Sequence, residues 1–218
     1  MKTEPAPEIL DVGCGTGSNL DNLRLALPQA RLHGVDLHPL AVSLARSRGV
    51  GTICRASANA LPYPDKAFHA VLALDVFYAI EVDERRALRE CHRVLKDGGI
   101  LFVNLPAFEF LRGAHDAAVH TRQRYTAREL GEKLASAGYE VLRLTYWNAL
   151  LFPLVFAWRR MQWRHRGEAP RSDLIPLPGA ANGLLKLVLR LERSVFSGVN
   201  LPFGSSVFAV ARKRIALS

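Results

Sequence analysis

The sequence predicts an α/β fold built on a parallel sheet, and three observations support this prediction. Residues 8–12 form a short apolar run that leads directly into a turn with three glycines. Apolar runs of strand length then alternate with stretches of helical periodicity, which is typical of a parallel sheet with crossover helices. The chain has 218 residues, of which 49% are hydrophobic, so it is long enough to bury a full core as a single domain.

The first strand-to-helix connection has the composition of a ligand cradle. Gly13, Gly15 and Gly17 stand at alternate positions, where they let the backbone turn sharply and approach a ligand without a Cβ in the way. Ser18 or Asn19 is expected to cap the helix that follows. Free backbone N–H groups and the positive end of the helix dipole would then face whatever binds there.

The remaining elements follow from apolar periodicity and from helix start and stop signals. Pro39 is expected at the first position of a helix, and Thr126 with Glu129 forms a capping box at the start of another. Gly98 and Gly99 are expected to stop a long amphipathic helix. The predicted helices cover residues 19–27, 39–47, 82–95 and 126–137, and the predicted strands cover residues 8–12, 32–35, 51–55, 68–74, 100–105, 139–147 and 205–212.

Two carboxylates give the cradle a more specific chemistry. Asp11 precedes the first glycine by two positions, and the spacing G-x-G-x-G departs from the G-x-G-x-x-G fingerprint of dinucleotide-binding turns. Asp36 follows the second strand, where a carboxylate can accept both hydroxyls of a ribose. Together, residues 11–17 and Asp36 resemble the first motif and the acidic residue of the class I S-adenosylmethionine-dependent methyltransferases.

The resemblance implies a fold and a cofactor. The fold is a Rossmann-like open sheet, mostly parallel with an antiparallel last strand and with helices on both faces. The cofactor is S-adenosyl-L-methionine, and the reaction is methyl transfer to a small-molecule or lipid-linked acceptor. The family's final two strands normally form a hairpin, whereas here they are separated by an insertion. The predicted parts are a core over residues 1–147, a largely helical amphipathic insertion or lid over residues 148–204, and a final strand with a basic tail over residues 205–218.

The resemblance also implies which residues hold the cofactor. The three glycines are expected at its amino-acid portion, Asp11 at its amino group directly or through water, and Asp36 at its ribose. Leu37 is expected beside the adenine, with Ser57 in place of the family's acidic residue in the adenine loop. The expected cofactor-binding residues are Asp11, Gly13, Gly15, Gly17, Asp36, Leu37, Ser57, Ala58 and Asp75.

The candidate catalytic groups are Asp75, His115 and His120. Asp75 ends an apolar strand, where ligands bind in open α/β sheets. A subgroup of the family is similar to the pattern of His115, Asp116, His120 and the Arg-Tyr-Thr of residues 124–126. Two roles fit this pattern: a histidine can remove a substrate proton at neutral pH, or Asp116 can orient a histidine to fix the loop. No metal site is expected, because histidines five residues apart do not share a helix face.

The charge of the chain favours an anionic neighbour. The net charge is +9 and the isoelectric point is about 9.9. Residues 150–166 and 184–195 combine apolar stripes with arginine and tryptophan, which predicts either a lid packed on the core or a contact with anionic lipid headgroups. Nucleic acid ranks below the membrane, because the arginines are interleaved with leucines and do not form a polar groove with stacking aromatics.

The expected location is the cytoplasm, with a peripheral contact at the inner face of a membrane. The three cysteines lack the C-x2-C spacing of zinc sites, and the first residues lack the apolar region of a signal peptide. Two other functions stay open. One is a nicotinamide-dependent reductase, although the fingerprint spacing and a Tyr-x3-Lys pair are missing. The other is a non-catalytic module that keeps the fold and binds a partner or a membrane through residues 150–203.

Overall fold

The computed structural model describes residues 6–113, 116, 121–163, 179–196 and 198–215, and these residues contain seven strands and six α-helices. The strands are β1 (Glu8–Val12), β2 (Arg31–Asp36), β3 (Thr52–Arg55), β4 (Phe68–Leu74), β5 (Leu95–Pro106), β6 (Tyr139–Trp147) and β7 (Ser206–Lys213). The helices are α1 (Ser18–Ala26), α2 (Pro39–Ser47), α3 (Glu84–Val94), α4 (Ala127–Ser136), α5 (Phe152–Trp163) and α6 (Gly179–Phe196), with a short 3-10 turn at Glu109–Leu111.

The strands form a single sheet in the order β3-β2-β1-β4-β5-β7-β6. All neighbouring pairs from β3 to β5 are parallel, whereas β7 runs antiparallel to both β5 and β6. The predicted mostly parallel sheet with an antiparallel last strand is therefore confirmed.

Helices cover both faces of the sheet, as predicted. Successive side chains of a strand point to opposite faces. In β1, Ile9 packs into a cluster with Leu20 of α1 and Val42 of α2, whereas Leu10 packs into a second cluster with Leu88 of α3. Helices α1 and α2 thus cover one face, and α3 covers the other, together with α4.

Three predicted boundaries are wrong for identifiable reasons. Helix α1 is not capped by Ser18 or Asn19, because Gly17 occupies the N-cap position with φ +85° and no side-chain cap bond forms. Helix α3 begins after Asp83, whose side chain accepts the N–H of Arg86. Strand β5 begins before Gly98 and Gly99, because the pairing with β4 shifts register across these residues.

Helices α5 and α6 lie between β6 and β7, in the region that the sequence assigns to an insertion. Their segment is tied together by Glu192 of α6, whose buried carboxylate accepts the N–H groups of Ala149 and Leu150 at 3.1 and 3.0 Å. Within the described residues, no helix has the length and apolar character needed to cross a membrane.

Candidate functional site

The glycine turn after β1 has a backbone that needs glycine. Gly13, Gly15 and Gly17 have φ values of +70°, +53° and +85°, which L side chains rarely adopt. A Cβ on Gly13 would lie 2.3 Å from Cγ2 of Val76, so this position has no room for a side chain. A Cβ on Gly15 would meet nothing within 4 Å, so the turn leaves open space at that point.

Asp36 at the end of β2 fixes the turn. Its Oδ2 accepts the N–H of Gly15 at 2.9 Å, and its Oδ1 accepts the N–H of His38 at 2.8 Å. Each carboxylate oxygen can accept more than one hydrogen bond. The carboxylate is therefore held in place and can still accept ligand hydroxyls.

A first cavity of about 470 Å³ opens beside this turn. It combines the carboxylates of Asp36 and Asp75 with apolar walls and the loop after β3. Its lining residues are Gly13, Asp36, Leu37, His38, Pro39, Arg55, Ala56, Ser57, Ala58, Asp75, Val76, Ala79, Glu81 and Val82. A cavity of this size with convergent polar groups suits a small organic ligand.

Asp11 in β1 is a buried acid whose carboxylate has Asn19 nearby but no hydrogen bond of normal geometry among the described residues. The residue is 0% exposed, and neither carboxylate oxygen has a partner among the described residues. Burial raises the pKa of Asp11 to about 7; nearby Asn19 opposes this shift and the charge of Asp36 adds to it. Buried polar groups in native proteins nearly always have partners, so this carboxylate fits a ligand that supplies one.

Asp75 lines both the first cavity and a second cavity of about 700 Å³. Its backbone has φ +61°, and Nδ2 of Asn104 donates to its two carboxylate oxygens at 3.1 and 3.3 Å. Burial raises the pKa of Asp75, and the hydrogen bond from Asn104 opposes that shift. The second cavity is lined by Asn19, Leu74, Asp75, Asn104, Arg143, Thr145, Tyr146, Trp147, Asn148, Leu201, Ser206 and Phe208.

Comparison with known proteins shows which family the residues around this site resemble. The family model described as "Methyltransferase domain" matches residues 10–103, which include the glycine turn, Asp36 and Asp75. This match supports the class I S-adenosylmethionine-dependent methyltransferases as the family that residues 10–103 resemble. The predicted recognition is thus confirmed, and the nicotinamide-dependent reductase loses its support.

Individual relatives of this methyltransferase family differ in their named acceptors. The chain is 28% identical over 182 residues to the probable tRNA methyltransferase 9B of Mus musculus, covering 83% of this chain and 34% of the relative. It is 34% identical over 107 residues to the demethylmenaquinone methyltransferase of Chlorobaculum tepidum, covering 49% of this chain and 43% of the relative. The chain thus spans less than half the length of these two curated relatives.

A solved structure shows the same fold along the whole chain. The match is the complex of the Haloferax volcanii Trm112 methyltransferase activator with a methyltransferase, at a TM-score of 0.65 and 21% identity. It covers 100% of this chain and 86% of the other. At this level of identity the likeness establishes the fold alone.

The residues present fit S-adenosylmethionine, the cofactor of the family. Its amino group would supply the cationic partner that the buried Asp11 lacks, and its ribose hydroxyls would meet acceptor oxygens on Asp36. The open space at Gly15 leaves room for the amino-acid portion. In this structure, the predicted residues Gly13, Asp36, Leu37, Ser57, Ala58 and Asp75 line the first cavity, whereas Asp11, Gly15 and Gly17 are not among its lining residues.

The histidines proposed for catalysis, His115 and His120, lie outside the described residues. Asp116 is described, and its carboxylate accepts hydrogen bonds from Nε and Nη2 of Arg124 at 2.8 and 3.1 Å. The Asp116 carboxylate also accepts the N–H of Gly113 at 2.8 Å. The buried ion pair between Asp116 and Arg124 therefore holds this loop to the connection that leads into α4. The sequence predicted neither partner of Asp116.

The second cavity was missed at the level of sequence. Asn104 could have been found, because it stands near the carboxyl end of a predicted strand, where ligands bind in open sheets. Thr145 and Tyr146 stand near the end of the predicted strand 139–147 and carry the same signal, whereas Arg143 lies further inside that strand and carries none. Within the described part of the chain, no group of three histidine, cysteine or acidic residues could hold a metal ion.

Proposed function

We propose that the chain transfers the methyl group of S-adenosylmethionine to a small-molecule or lipid-linked acceptor bound in the second cavity. The observation that carries this proposal is that Asp75 lines both cavities. An acceptor atom beside Asp75 in the second cavity would therefore be separated from a cofactor in the first cavity only by the Asp75 side chain. The family assignment supports the cofactor, and the cavity pair supports the place of transfer.

The proposed mechanism relies on orientation and on one proton acceptor. When bound, S-adenosylmethionine supplies a methyl group on a positively charged sulfur. The walls of the second cavity would hold the acceptor's oxygen or nitrogen in line with that methyl group. Asp75 takes the proton from the acceptor atom, and Asn104 holds the carboxylate in place. Holding the reacting atoms in line can lower the barrier by about 7 kcal/mol or more.

The walls of the second cavity favour an acceptor with an apolar body and a polar end. Leu74, Leu201 and Phe208 supply apolar surface, whereas Arg143 and Asn148 supply hydrogen-bond donors. Mostly apolar pockets with a few placed polar groups are typical of small-molecule sites. The named substrate of the Chlorobaculum tepidum relative, demethylmenaquinone, supports the same class of acceptor.

A tRNA acceptor is the second candidate. The name of the Mus musculus relative and the net charge of +9 favour it. The same assay separates the two candidates, because both acceptors can be offered together with the labelled cofactor.

The test is methyl transfer from methyl-labelled S-adenosylmethionine to a lipid and small-molecule extract, with tRNA in a parallel reaction. We expect label in the extract fraction. The Asp75→Asn variant should lose about a hundredfold or more in turnover, because it cannot accept the proton. Asparagine also tolerates a positive φ, so the turn should keep its backbone, and cofactor binding measured alongside separates a lost base from a lost cofactor contact.

The matched control is Asp97→Asn. Asp97 lies at the beginning of β5, at the end of the sheet away from both cavities, so turnover should not change. Label in tRNA but not in the extract would favour the second candidate. Full turnover in Asp75→Asn would remove the proposed base, and a protein that does not bind the cofactor would overturn the proposal.

A further inference from the structure

We propose that an aromatic surface formed by Phe110, Phe152, Phe156 and Phe203 docks the chain on an anionic lipid surface. Phe110 belongs to the 3-10 turn, Phe152 and Phe156 belong to α5, and Phe203 precedes β7. This inference goes beyond methyl transfer, because it concerns where the chain is located when it acts.

The four rings form one continuous apolar surface that faces water. Phe152 lies 6.4 Å from Phe156 and 5.5 Å from Phe203, measured between ring centroids, and Phe110 lies 6.0 Å from Phe156. Phe110, Phe156 and Phe203 are nevertheless 59%, 41% and 46% exposed. A contiguous exposed patch of large apolar side chains marks an interaction site more often than a scattered single residue does.

The aromatic surface is connected to the second cavity. Phe108 stacks on Phe110 at 5.1 Å on one side and on Tyr146 at 4.7 Å on the other. Tyr146 is a wall of the second cavity. One row of rings therefore leads from the exposed surface to the proposed acceptor site, which is the arrangement that an acceptor drawn from a lipid phase would need.

The charge of the surrounding segment selects an anionic surface. Residues 148–204 contain eight lysines and arginines against three acidic residues, so this quarter of the chain carries +5 of the net +9. Arg160 of α5 and Arg190 of α6 are exposed, whereas the acidic Glu192 is buried on two backbone N–H groups. Basic side chains beside apolar and aromatic ones are typical of segments that lie in the interface of anionic membranes.

The arrangement of the rings disfavours RNA as the occupant. Bases bind to single-strand sites by stacking on exposed aromatic faces along a basic groove. Here Phe110 meets Phe152 and Phe156 edge to face, and Phe152 lies nearly parallel to Phe156. The rings therefore use much of their surface on one another, and what they expose is a common apolar surface.

The experiment is vesicle flotation of the whole chain without cofactor or acceptor. We compare vesicles of phosphatidylcholine with vesicles of phosphatidylcholine mixed with phosphatidylglycerol. The mixed vesicles should bind the chain about tenfold more tightly or better, and added salt should weaken that binding. Because methyl transfer plays no part in this measurement, its failure leaves the proposed function standing.

The variants test the surface itself. Phe110→Ser with Phe156→Ser should lower binding to the mixed vesicles about tenfold or more, as should Arg160→Glu. Leu25→Ser is the matched control, since Leu25 is 75% exposed on α1, and it should bind normally. Unchanged thermal melting and cofactor binding would show that each variant is folded.

Three outcomes would overturn this inference. The first is equal binding to neutral and mixed vesicles, and the second is normal vesicle binding by the folded double variant. The third is that the chain binds tRNA but not vesicles, and that the double variant loses the binding to tRNA. The last outcome would assign the aromatic surface to RNA.

Discussion

At the scale of single residues, the buried Asp11 makes the stability of the chain depend on pH. Its carboxylate is fully buried, its oxygens have no partner among the described residues, and its pKa is raised to about 7 from an ordinary value of 3.8. A folded-state pKa above the unfolded value means that the folded chain binds this proton more tightly. The stabilisation is therefore fully present below about pH 4 and is lost as the pH rises towards 7.

Replacing this acid with its neutral isostere should remove that pH dependence. Without cofactor, Asp11→Asn should be more stable than the natural chain above about pH 7 by a few kcal/mol, since one pKa unit corresponds to about 1.4 kcal/mol. Near pH 4 the two proteins should have almost the same free energy of unfolding. Denaturant unfolding across this pH range measures the difference.

The variant should also weaken cofactor binding about tenfold or more, because a charge-assisted contact is lost. Asp97→Asn is the control. Because Lys66 lowers the pKa of this exposed carboxyl, the substitution should not stabilise the chain at any pH. A stability difference for Asp11→Asn that stays constant with pH would contradict the assignment of this titration to Asp11.

At the scale of secondary-structure elements, the start of α4 connects helix capping to the second cavity. The hydroxyl of Thr126 accepts the N–H of Glu129 at 3.3 Å, and the side chain of Glu129 accepts the N–H of Thr126 at 2.8 Å. The next N–H, that of Ala127, is bound by the hydroxyl of Tyr146 at 2.9 Å. The capping box therefore holds the helix end that positions a wall of the cavity.

Loss of this cap should have a measurable cost. Thr126→Ala should lower the free energy of unfolding by about 1 kcal/mol, because it removes an acceptor for an otherwise unpaired N–H. Thr126→Ser keeps the hydroxyl and should stay within a few tenths of a kcal/mol of the natural chain. Equal stability of the alanine and serine variants in denaturant unfolding would show that the capping box contributes nothing.

Element boundaries were predictable where local signals agreed. Strands β4 and β6 have the predicted bounds, because β4 is a mostly apolar run that ends at Asp75, and β6 mixes apolar and polar residues between Gly138 and Asn148. The start of β5 was not predictable, since Gly98 and Gly99 read as a helix stop, whereas they belong to an irregular start of the strand. Only the pairing with β4 distinguishes these two structures.

At the scale of the whole molecule, the two cavities differ in how far the sequence predicts them. Much of the first cavity comes from short stretches around the glycine turn and the ends of β2 and β3, so a local motif identifies its residues. The second cavity takes its walls from residues as distant in the chain as Asn19 and Phe208. No local pattern records such a neighbourhood, because it arises from the order of strands in the sheet.

That strand order also has a consequence for the sequence of folding events. Strand β7 lies between β5 and β6, so β6 cannot join the sheet until the last strand in the chain has been inserted. Strands β1, β2 and β4 pair without it, and contacts between distant segments form slowly. In refolding followed by pulsed hydrogen exchange, amides of β1 and β4 should be protected before those of β6. Simultaneous protection would contradict this order. If the order holds, the part of the site that binds the cofactor forms before the part that binds the acceptor.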